Sequence, residues 1–137
     1  MTDANRVIKK ETFKSRGEAA IARLLSQCRI PYRYEPDLYL EDGQKRVIYH
    51  PDFYLPDYHT IIEYFGLKGH ADYEQGIQKK KHLYQKNHYH LIPVYPATLQ
   101  RNYETYILKS LHSHLAGRTR DLEYRLRQHG HDAYKPT

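Results

Sequence analysis

Two acidic residues, Asp52 and Glu63, lie on neighbouring segments whose spacing would bring their carboxylates together. The segments 45–55 and 60–67 are rich in Val, Ile, Tyr and Phe, which is typical of strands, and Pro and Asp between them indicate a turn. A four-residue turn at 56–59 would set the register in which Asp52 lies opposite Glu63. The Cβ atoms of opposed residues are about 4.5–5.5 Å apart. Carboxylates at that distance repel each other, and a divalent cation between them would remove the repulsion.

A third acid, Glu18, lies on the apolar stripe of the first predicted helix. It precedes Ile21 by three residues and Leu25 by seven, so it points towards the expected sheet. It also fits a capping box with Ser15, in which the Glu side chain bonds back to the N-terminal cap. From the residues alone, a role in the site and a role in the cap both stay open for Glu18.

Lys80 is expected to place a positive charge on the side of the sheet where the acids lie. Of the three lysines at 79–81, only Lys80 shares a helix stripe with Ile77 and Tyr84, the face expected to meet the sheet. An ammonium there could orient a nucleophilic water or stabilise charge that develops on a phosphate. Two alternatives need no metal: Glu63 pairs with a nearby lysine, or the register slips by one residue and the two acids point to opposite faces.

The helices and strands that carry these residues are expected to form one α/β domain. The patterns indicate a helix over 15–28, strands over 32–40, 45–55 and 60–67, a helix over 70–87, a strand over 88–95, and helices over about 98–115 and 119–129. The three consecutive strands are expected to form an antiparallel meander, and the helix after them a crossover. The predicted fold class is therefore an α/β core, a mixed sheet in the order αβββαβ flanked by helices, with additional C-terminal helices.

Composition and charge predict how the chain is divided and exclude several classes of protein. The 137 residues carry a formal charge of +6, and the patterns predict a basic N-terminal arm (1–14), an α/β core (15–115) and a basic C-terminal helix and tail (116–137). No apolar stretch approaches the roughly 20 residues of a membrane helix. The N-terminus has no apolar run like that of a secretory signal, so a cytoplasmic protein is expected. A single cysteine excludes a disulfide framework and a cysteine-rich zinc module.

In their order, these motifs resemble the PD-(D/E)XK nuclease superfamily, which has the restriction-endonuclease-like fold. A helix with an inward Glu is followed by PDF on one strand, IIEYFG on the next, a Lys-bearing helix and a strand LIPVYP, over residues 15–96. The chain is most similar to very-short-patch-repair-type and helicase-associated nuclease domains. The resemblance implies a metal-dependent DNA endonuclease that hydrolyses phosphodiester bonds, with Mg²⁺ as cofactor and Mn²⁺ able to substitute.

The resemblance also implies roles for single residues. Asp52 and Glu63 match the metal-binding acids, the backbone carbonyl of Tyr64 matches a main-chain ligand, and Glu18 matches the acid of the first helix. Apart from the resemblance, Glu35 and Asp37, one strand earlier in the chain, are expected only near the edge of this site.

One position departs from the superfamily pattern. The superfamily's lysine stands two residues after the second acid, where this chain has Phe65. Lys80 on the following helix is the candidate to replace it, and Lys68 is a second candidate. If neither lysine reaches the metal, the alternative is a catalytically inactive nucleic-acid-binding module of the same fold. A further alternative is an interaction domain whose tyrosine-rich surface binds protein.

The basic residues predict DNA as the partner. The expected phosphate contacts are Lys79, Lys81, Arg120 and Arg127. Tyr124 shares a helix face with the two arginines and is suited to stacking on an unpaired base. In the alternative, the leucines of that helix dock on the domain and its arginines are merely solvated. Because the chain has little room beyond the core, any specificity is expected to come from a homodimer mate or a partner protein.

The histidines favour an ordinary structural role. His88 and His90 would share one face of a strand, where two imidazoles could bind a transition metal. Without cysteine partners or a third ligand, histidines on the surface or bonded to a hydroxyl are the favoured interpretation.

Overall fold

The chain folds as a layered α/β structure, seen here in a computed structural model. It describes the backbone of residues 13–66 and 71–133 and the side chains of residues 13–66 and 73–128. Most of the predicted arm (1–14) and Lys68 lie outside the described residues. The elements are α1 (Arg16–Gln27), β1 (Arg33–Tyr34), β2 (Leu38–Asp42), β3 (Lys45–Tyr49), β4 (Phe53–Leu55), a 3₁₀ turn (Pro56–Tyr58), β5 (Thr60–Tyr64), α2 (Ala71–Lys86), β6 (His90–Val94), α3 (Pro96–Leu99) and α4 (Tyr103–Ala133).

A four-stranded mixed sheet in the order β1-β4-β5-β6 forms the centre of the molecule. Strands β1, β4 and β5 are antiparallel neighbours, whereas β6 lies parallel to β5 after the crossover through α2. This confirms the predicted α/β class with a mixed sheet flanked by helices.

The hairpin that carries the two predicted metal ligands has the expected register. Its pairs are Phe53 with Ile62, Tyr54 with Ile61 and Leu55 with Thr60. The 3₁₀ turn closes the hairpin, and the residue after it, His59, adopts the left-handed conformation that the reversal needs (φ 50°). The next opposed positions are therefore 52 and 63.

The predicted meander of three long strands is wrong, because the first two segments each divide between two sheets. Within 32–40, Glu35 has a left-handed backbone (φ 49°) and the next residue is a proline. Within 45–55, Pro51 has no N–H to donate to a ladder. Strands β2 and β3 therefore pair with each other as a separate hairpin, closed by a tight turn at Gly43 (φ 67°).

The sheet is covered on both faces by apolar clusters. One cluster joins α1, the sheet and α4, and its fully buried members include Ile21, Leu25, Phe53, Ile62, Val94 and Ile107. The other joins the β2–β3 hairpin, β5 and α2 through Leu38, Leu40, Ile61, Leu83 and Tyr84. The two clusters fix α1 and α2 against the sheet, and with them the side chains that these helices carry towards the hairpin.

The C-terminal region is one helix rather than the two predicted over about 98–115 and 119–129. The helix α4 runs through Gly117 without a break, and only the short α3 precedes it. Ile107 and Leu111 are buried, but Leu122 and Leu126 are 56% and 65% exposed, so the interpretation in which these leucines dock on the domain is wrong. Among the residues that the structure describes, none of the helices combines the length and apolar character needed to cross a membrane.

Close packing between α1 and β5 gives a first prediction. A Cβ atom on Gly17 would lie 2.6 Å from Cζ of Tyr64 and 2.9 Å from Cδ1 of Leu99. We expect Gly17→Ala to lower the free energy of unfolding by about 1–3 kcal/mol through overpacking, as measured by urea denaturation. The control is Gly76→Ala on α2, where a Cβ meets nothing within 4 Å and should raise stability by up to about 1 kcal/mol. Equal effects of the two substitutions would contradict the close contact.

Candidate active site

Asp52 and Glu63 come together as the register predicted. Asp52 immediately precedes β4, and its Oδ2 accepts a hydrogen bond of 2.6 Å from the backbone N–H of Tyr64 on β5. The Asp52 and Glu63 side chains are in hydrogen-bonding contact, and Glu63 is only 2% exposed. Burial, followed by the charge of Glu63, raises the pKa of Asp52 to about 7. Burial also raises the pKa of Glu63, so both carboxyl groups bind a proton more readily than they would in water.

Helix α2 presents a hydroxyl donor and a positive charge to Glu63 from a single face. The hydroxyl of Tyr84 donates to Glu63 Oε1 over 2.7 Å, and the ammonium of Lys80 lies 3.9 Å from Oε2. Residues four apart on a helix lie on one face, as the stripe predicted. Lys80 opposes the rise in the pKa of Glu63 but does not cancel it. The pairing of Glu63 with a nearby lysine, which the sequence left open, is therefore present. The charge of Lys80 alone does not neutralise the buried carboxylates of Asp52 and Glu63.

Glu18 takes part in the N-terminal cap of α1 and also lies among the acidic side chains around Asp52. Ser15 is the N-cap of α1, its Oγ accepts from the backbone N–H of Glu18, and its hydroxyl donates to Glu18 Oε2. The other carboxylate oxygen accepts from the hydroxyl of Tyr34. Glu18 is nearly buried, and its charge contributes to the raised pKa of Asp52. The two roles that the sequence left open are thus compatible.

Glu35 lies closer to Glu18 and Asp52 than the sequence analysis predicted. One ligand oxygen from each of Glu18, Glu35 and Asp52 lies within 4.8 Å of the others. The left-handed backbone at Glu35 ends β1 at this point, and its N–H donates to the backbone carbonyl of Asp52 over 3.0 Å. The following Pro36, which interrupts the strand, was the available signal for this turn. We refer to Glu18, Glu35, Asp52 and Glu63 as the acidic cluster.

Lysines lie at the edges of the acidic cluster. Lys14 pairs with Glu35 over 2.8 Å, and Lys80 approaches Glu63 from α2. The position two residues after Glu63, where the resemblance led us to expect a lysine, is Phe65, which is buried and packs against Tyr95 with ring centroids 5.6 Å apart. An apolar ring there cannot act as a donor. Lys80 is therefore the lysine nearest Glu63 among the residues that the structure describes.

The predicted DNA contacts lie around rather than within the acidic cluster. Lys79 is exposed on α2, whereas Lys81 is half-buried and donates to the hydroxyl of Tyr95 over 2.9 Å. Arg120 and Arg127 are exposed on the distal part of α4. Their role in binding DNA remains a prediction, as does the ligand role of the Tyr64 carbonyl.

The histidines are held by ordinary contacts at the opposite end of β5 and β6. Nδ1 of His90 lies 3.1 Å from the Thr60 hydroxyl, and the rings of His90 and His114 stack with centroids 4.1 Å apart. Over the part of the chain that the structure describes, the residues that could jointly hold an ion are Glu18, Glu35 and Asp52, not histidines. This agrees with the interpretation of a hydroxyl-bonded structural histidine.

His90 also gives a prediction about acid stability. Burial, and then the charge of His114, lowers the pKa of His90 to about 4. The unfolded chain therefore binds this proton more readily than the folded chain between about pH 4 and 6.5, and His90 costs stability as the pH falls through that window. We expect the free energy of unfolding of the wild type to decline relative to that of His90→Asn as pH falls from about 7 to 4.5. A constant difference between the two across that range would contradict the assignment.

The acidic cluster offers only oxygen ligands, and it is partly shielded from water by Tyr34, Tyr84 and the sheet. Such a ligand set suits Mg²⁺ or Mn²⁺ rather than zinc. No protein-family model, no curated protein and no solved structure matches this chain. Its function therefore has to be inferred from the chemistry of the acidic cluster and of the charges around it.

Proposed function

We propose that the chain is a metal-dependent DNA endonuclease of the restriction-endonuclease-like fold that hydrolyses phosphodiester bonds. The observation that carries the proposal is the convergence of Glu18, Glu35 and Asp52 within 4.8 Å, with Glu63 in contact with Asp52. Burying several carboxylates side by side is unfavourable, and the raised pKa of Asp52 reflects that cost. A divalent cation among these oxygens would offset the repulsion and return the carboxylates to their charged form.

The residues present fit such an ion. Glu18, Glu35 and Asp52, whose ligand oxygens lie within 4.8 Å of one another, would hold Mg²⁺ or Mn²⁺, and Glu63 and the backbone carbonyl of Tyr64 would complete the ligand set from the β5 side. When bound, the ion neutralises charge on the scissile phosphate and lowers the pKa of a coordinated water. The protein fixes the positions of the ligand side chains. For Asp52 it does this through the hydrogen bond that the Tyr64 backbone N–H donates to Oδ2.

Lys80 is suited to positioning the nucleophile. Its side chain is 43% exposed, and its ammonium lies 3.9 Å from Glu63 Oε2. Lys80 lies four residues before Tyr84, on the same face of α2. From there it would orient an attacking water and stabilise the phosphate as negative charge develops. The exposed Lys79 and the arginines of α4 would bind phosphates further along the DNA.

A second candidate is a binding module of the same fold without catalytic activity. It is favoured by one observation: Phe65 is buried in the apolar core at the position of the superfamily's lysine. In this case the acidic cluster would have only a structural role, and Lys80 would act as the counter-charge of Glu63 alone.

Cleavage and binding assays separate the two candidates. The full chain is incubated with supercoiled, branched and single-stranded DNA in Mg²⁺, Mn²⁺, Ca²⁺ or EDTA, and binding is measured as salt is raised. The endonuclease predicts cutting of at least one DNA in Mg²⁺ or Mn²⁺ and none in EDTA. Salt-sensitive binding without any cutting would favour the binding module, because phosphate contacts weaken as salt rises. Binding that ignores salt would contradict both.

A further inference from the structure

The distal part of α4 exposes a row of leucines. Leu115, Leu122 and Leu126 are 45%, 56% and 65% exposed, and Leu108 at the start of the row is 37% exposed. Singly exposed leucines are common, but a continuous row along a helix marks an interaction surface. Nothing within the described residues covers this row.

The row has the period of a coiled coil. With Leu108, Leu115 and Leu122 at d positions, the a positions fall on residues 112, 119 and 126 over about three heptads. We call this set the leucine stripe; its members are Leu108, His112, Leu115, Thr119, Leu122 and Leu126. Polar residues at two a positions are compatible with a coiled coil and commonly restrict its register and oligomeric state.

The leucine stripe borders the face of α4 that packs on the domain. Ile107 and Leu111 are buried against the sheet. At about 100° per residue, Leu122 and Leu115 lie about 20° and 40° around the helix from Leu111, so the stripe continues along the helix where the contact with the domain ends. Because Leu111 is covered by its own domain, a second helix has free access to the stripe from Leu115 onwards.

The charges beside the leucine stripe indicate which helix covers it. Arg118 occupies a g position and Glu123 the e position five residues later. In a parallel pair of identical helices, Arg118 of one copy lies opposite Glu123 of the other, and the reciprocal pair forms by symmetry. An antiparallel pair would bring g positions together, and these are Arg118 and Arg125, which repel each other. The charges thus complement a second copy in parallel orientation.

We propose that this chain self-associates through the leucine stripe as a parallel, two-fold symmetric coiled coil. Arg120, Tyr124 and Arg127 lie on the far side of α4 from the stripe and stay exposed. If the proposed endonuclease activity holds, such a dimer carries two acidic clusters, one for each strand of a duplex.

The mass of the full chain in solution tests this proposal independently of any cleavage. Sedimentation equilibrium is expected to show a monomer–dimer equilibrium in the wild type, and Leu122→Glu is expected to be monomeric at concentrations where the wild type is dimeric. Circular dichroism checks that Leu122→Glu is folded, since an exposed leucine contributes little to the domain. A wild type that stays monomeric at every accessible concentration would overturn the proposal.

Charge reversal tests the partner and its orientation. Arg118→Glu and Glu123→Arg, each alone, turn two attractive pairs into repulsive ones and should raise the dimer dissociation constant by about tenfold. An equimolar mixture of the two variants restores both pairs and should form a heterodimer about as tight as the wild type. Arg120→Glu, on the far side of the helix, is the matched control and should leave dimerisation unchanged. A mixture no tighter than either variant alone would contradict the parallel arrangement.

Discussion

Asp52→Asn is expected to reduce metal-dependent DNA cleavage by about three orders of magnitude, because loss of the bound ion removes several kcal/mol of transition-state stabilisation. The asparagine retains an oxygen that can accept from the Tyr64 N–H, so the local geometry is preserved. DNA binding should remain, since phosphate contacts come from the surrounding basic residues. Initial cleavage rates in Mg²⁺ and a parallel binding assay measure the two effects.

The same substitution should stabilise the metal-free protein. The pKa of Asp52 is raised to about 7 in the fold, so the folded chain binds this proton more tightly than the unfolded chain. Stability contributed by that proton is present at low pH and is lost as pH rises from about 4 to 7. Asp52→Asn should therefore raise the melting temperature in EDTA at pH 8 and have little effect near pH 4.

Asp37→Asn is the matched control for both measurements. Asp37 pairs with His50 over 2.8 Å on the exposed hairpin side, outside the acidic cluster. It should cut DNA like the wild type and show no such stabilisation in EDTA. Wild-type activity in Asp52→Asn would contradict the proposed metal site, and an unchanged melting temperature at pH 8 would contradict the repulsion inferred within the cluster.

Lys80→Ala is expected to lower the cleavage rate by about a hundredfold or more with little change in DNA affinity, which is the range for a group that positions a proton or a nucleophile. The ammonium near Glu63 Oε2 holds down the pKa of that carboxyl, so its removal should raise the pKa of Glu63 further. Single-turnover rates at saturating Mn²⁺ separate the effect on chemistry from the effect on metal affinity.

Lys79→Ala provides the contrast on the same helix. Its side chain is exposed, and we expect it to contact phosphate only, so its loss should weaken binding and reduce the salt slope by about one without changing the single-turnover rate. Lys68→Ala tests the second candidate lysine. A loss of rate in Lys68→Ala with normal rates in Lys80→Ala would show that Lys80 is not the replacement for the lysine missing at Phe65.

The sequence predicted the parts of this site that depend on local counting. The length of the turn sets the register of the hairpin, and that register alone brings Asp52 beside Glu63. The helical period likewise put Lys80 and Tyr84 on one face of α2. Both predictions rest on contacts near in sequence or on a single period, which backbone geometry largely determines.

Other features depended on tertiary context. Glu35 joins the acidic cluster because its backbone turns into the left-handed region before Pro36, a conformation that strand patterns do not reveal. The meander divided at Pro51, where the missing N–H outweighed the strand-forming residues on either side. Two helices were predicted over about 98–115 and 119–129, but the residues around Gly117 are strong enough helix formers that α4 continues through it.

The central claim is that the acidic cluster holds a divalent metal ion, and anomalous diffraction from crystals soaked in Mn²⁺ tests it most directly. The account predicts an anomalous peak among the carboxylates of Glu18, Glu35 and Asp52, with Glu63 and the Tyr64 carbonyl on its β5 side. The peak should be absent from crystals of Asp52→Asn. An acidic cluster without a peak at Mn²⁺ concentrations that support cleavage, or a peak only at the His90–His114 pair, would contradict it.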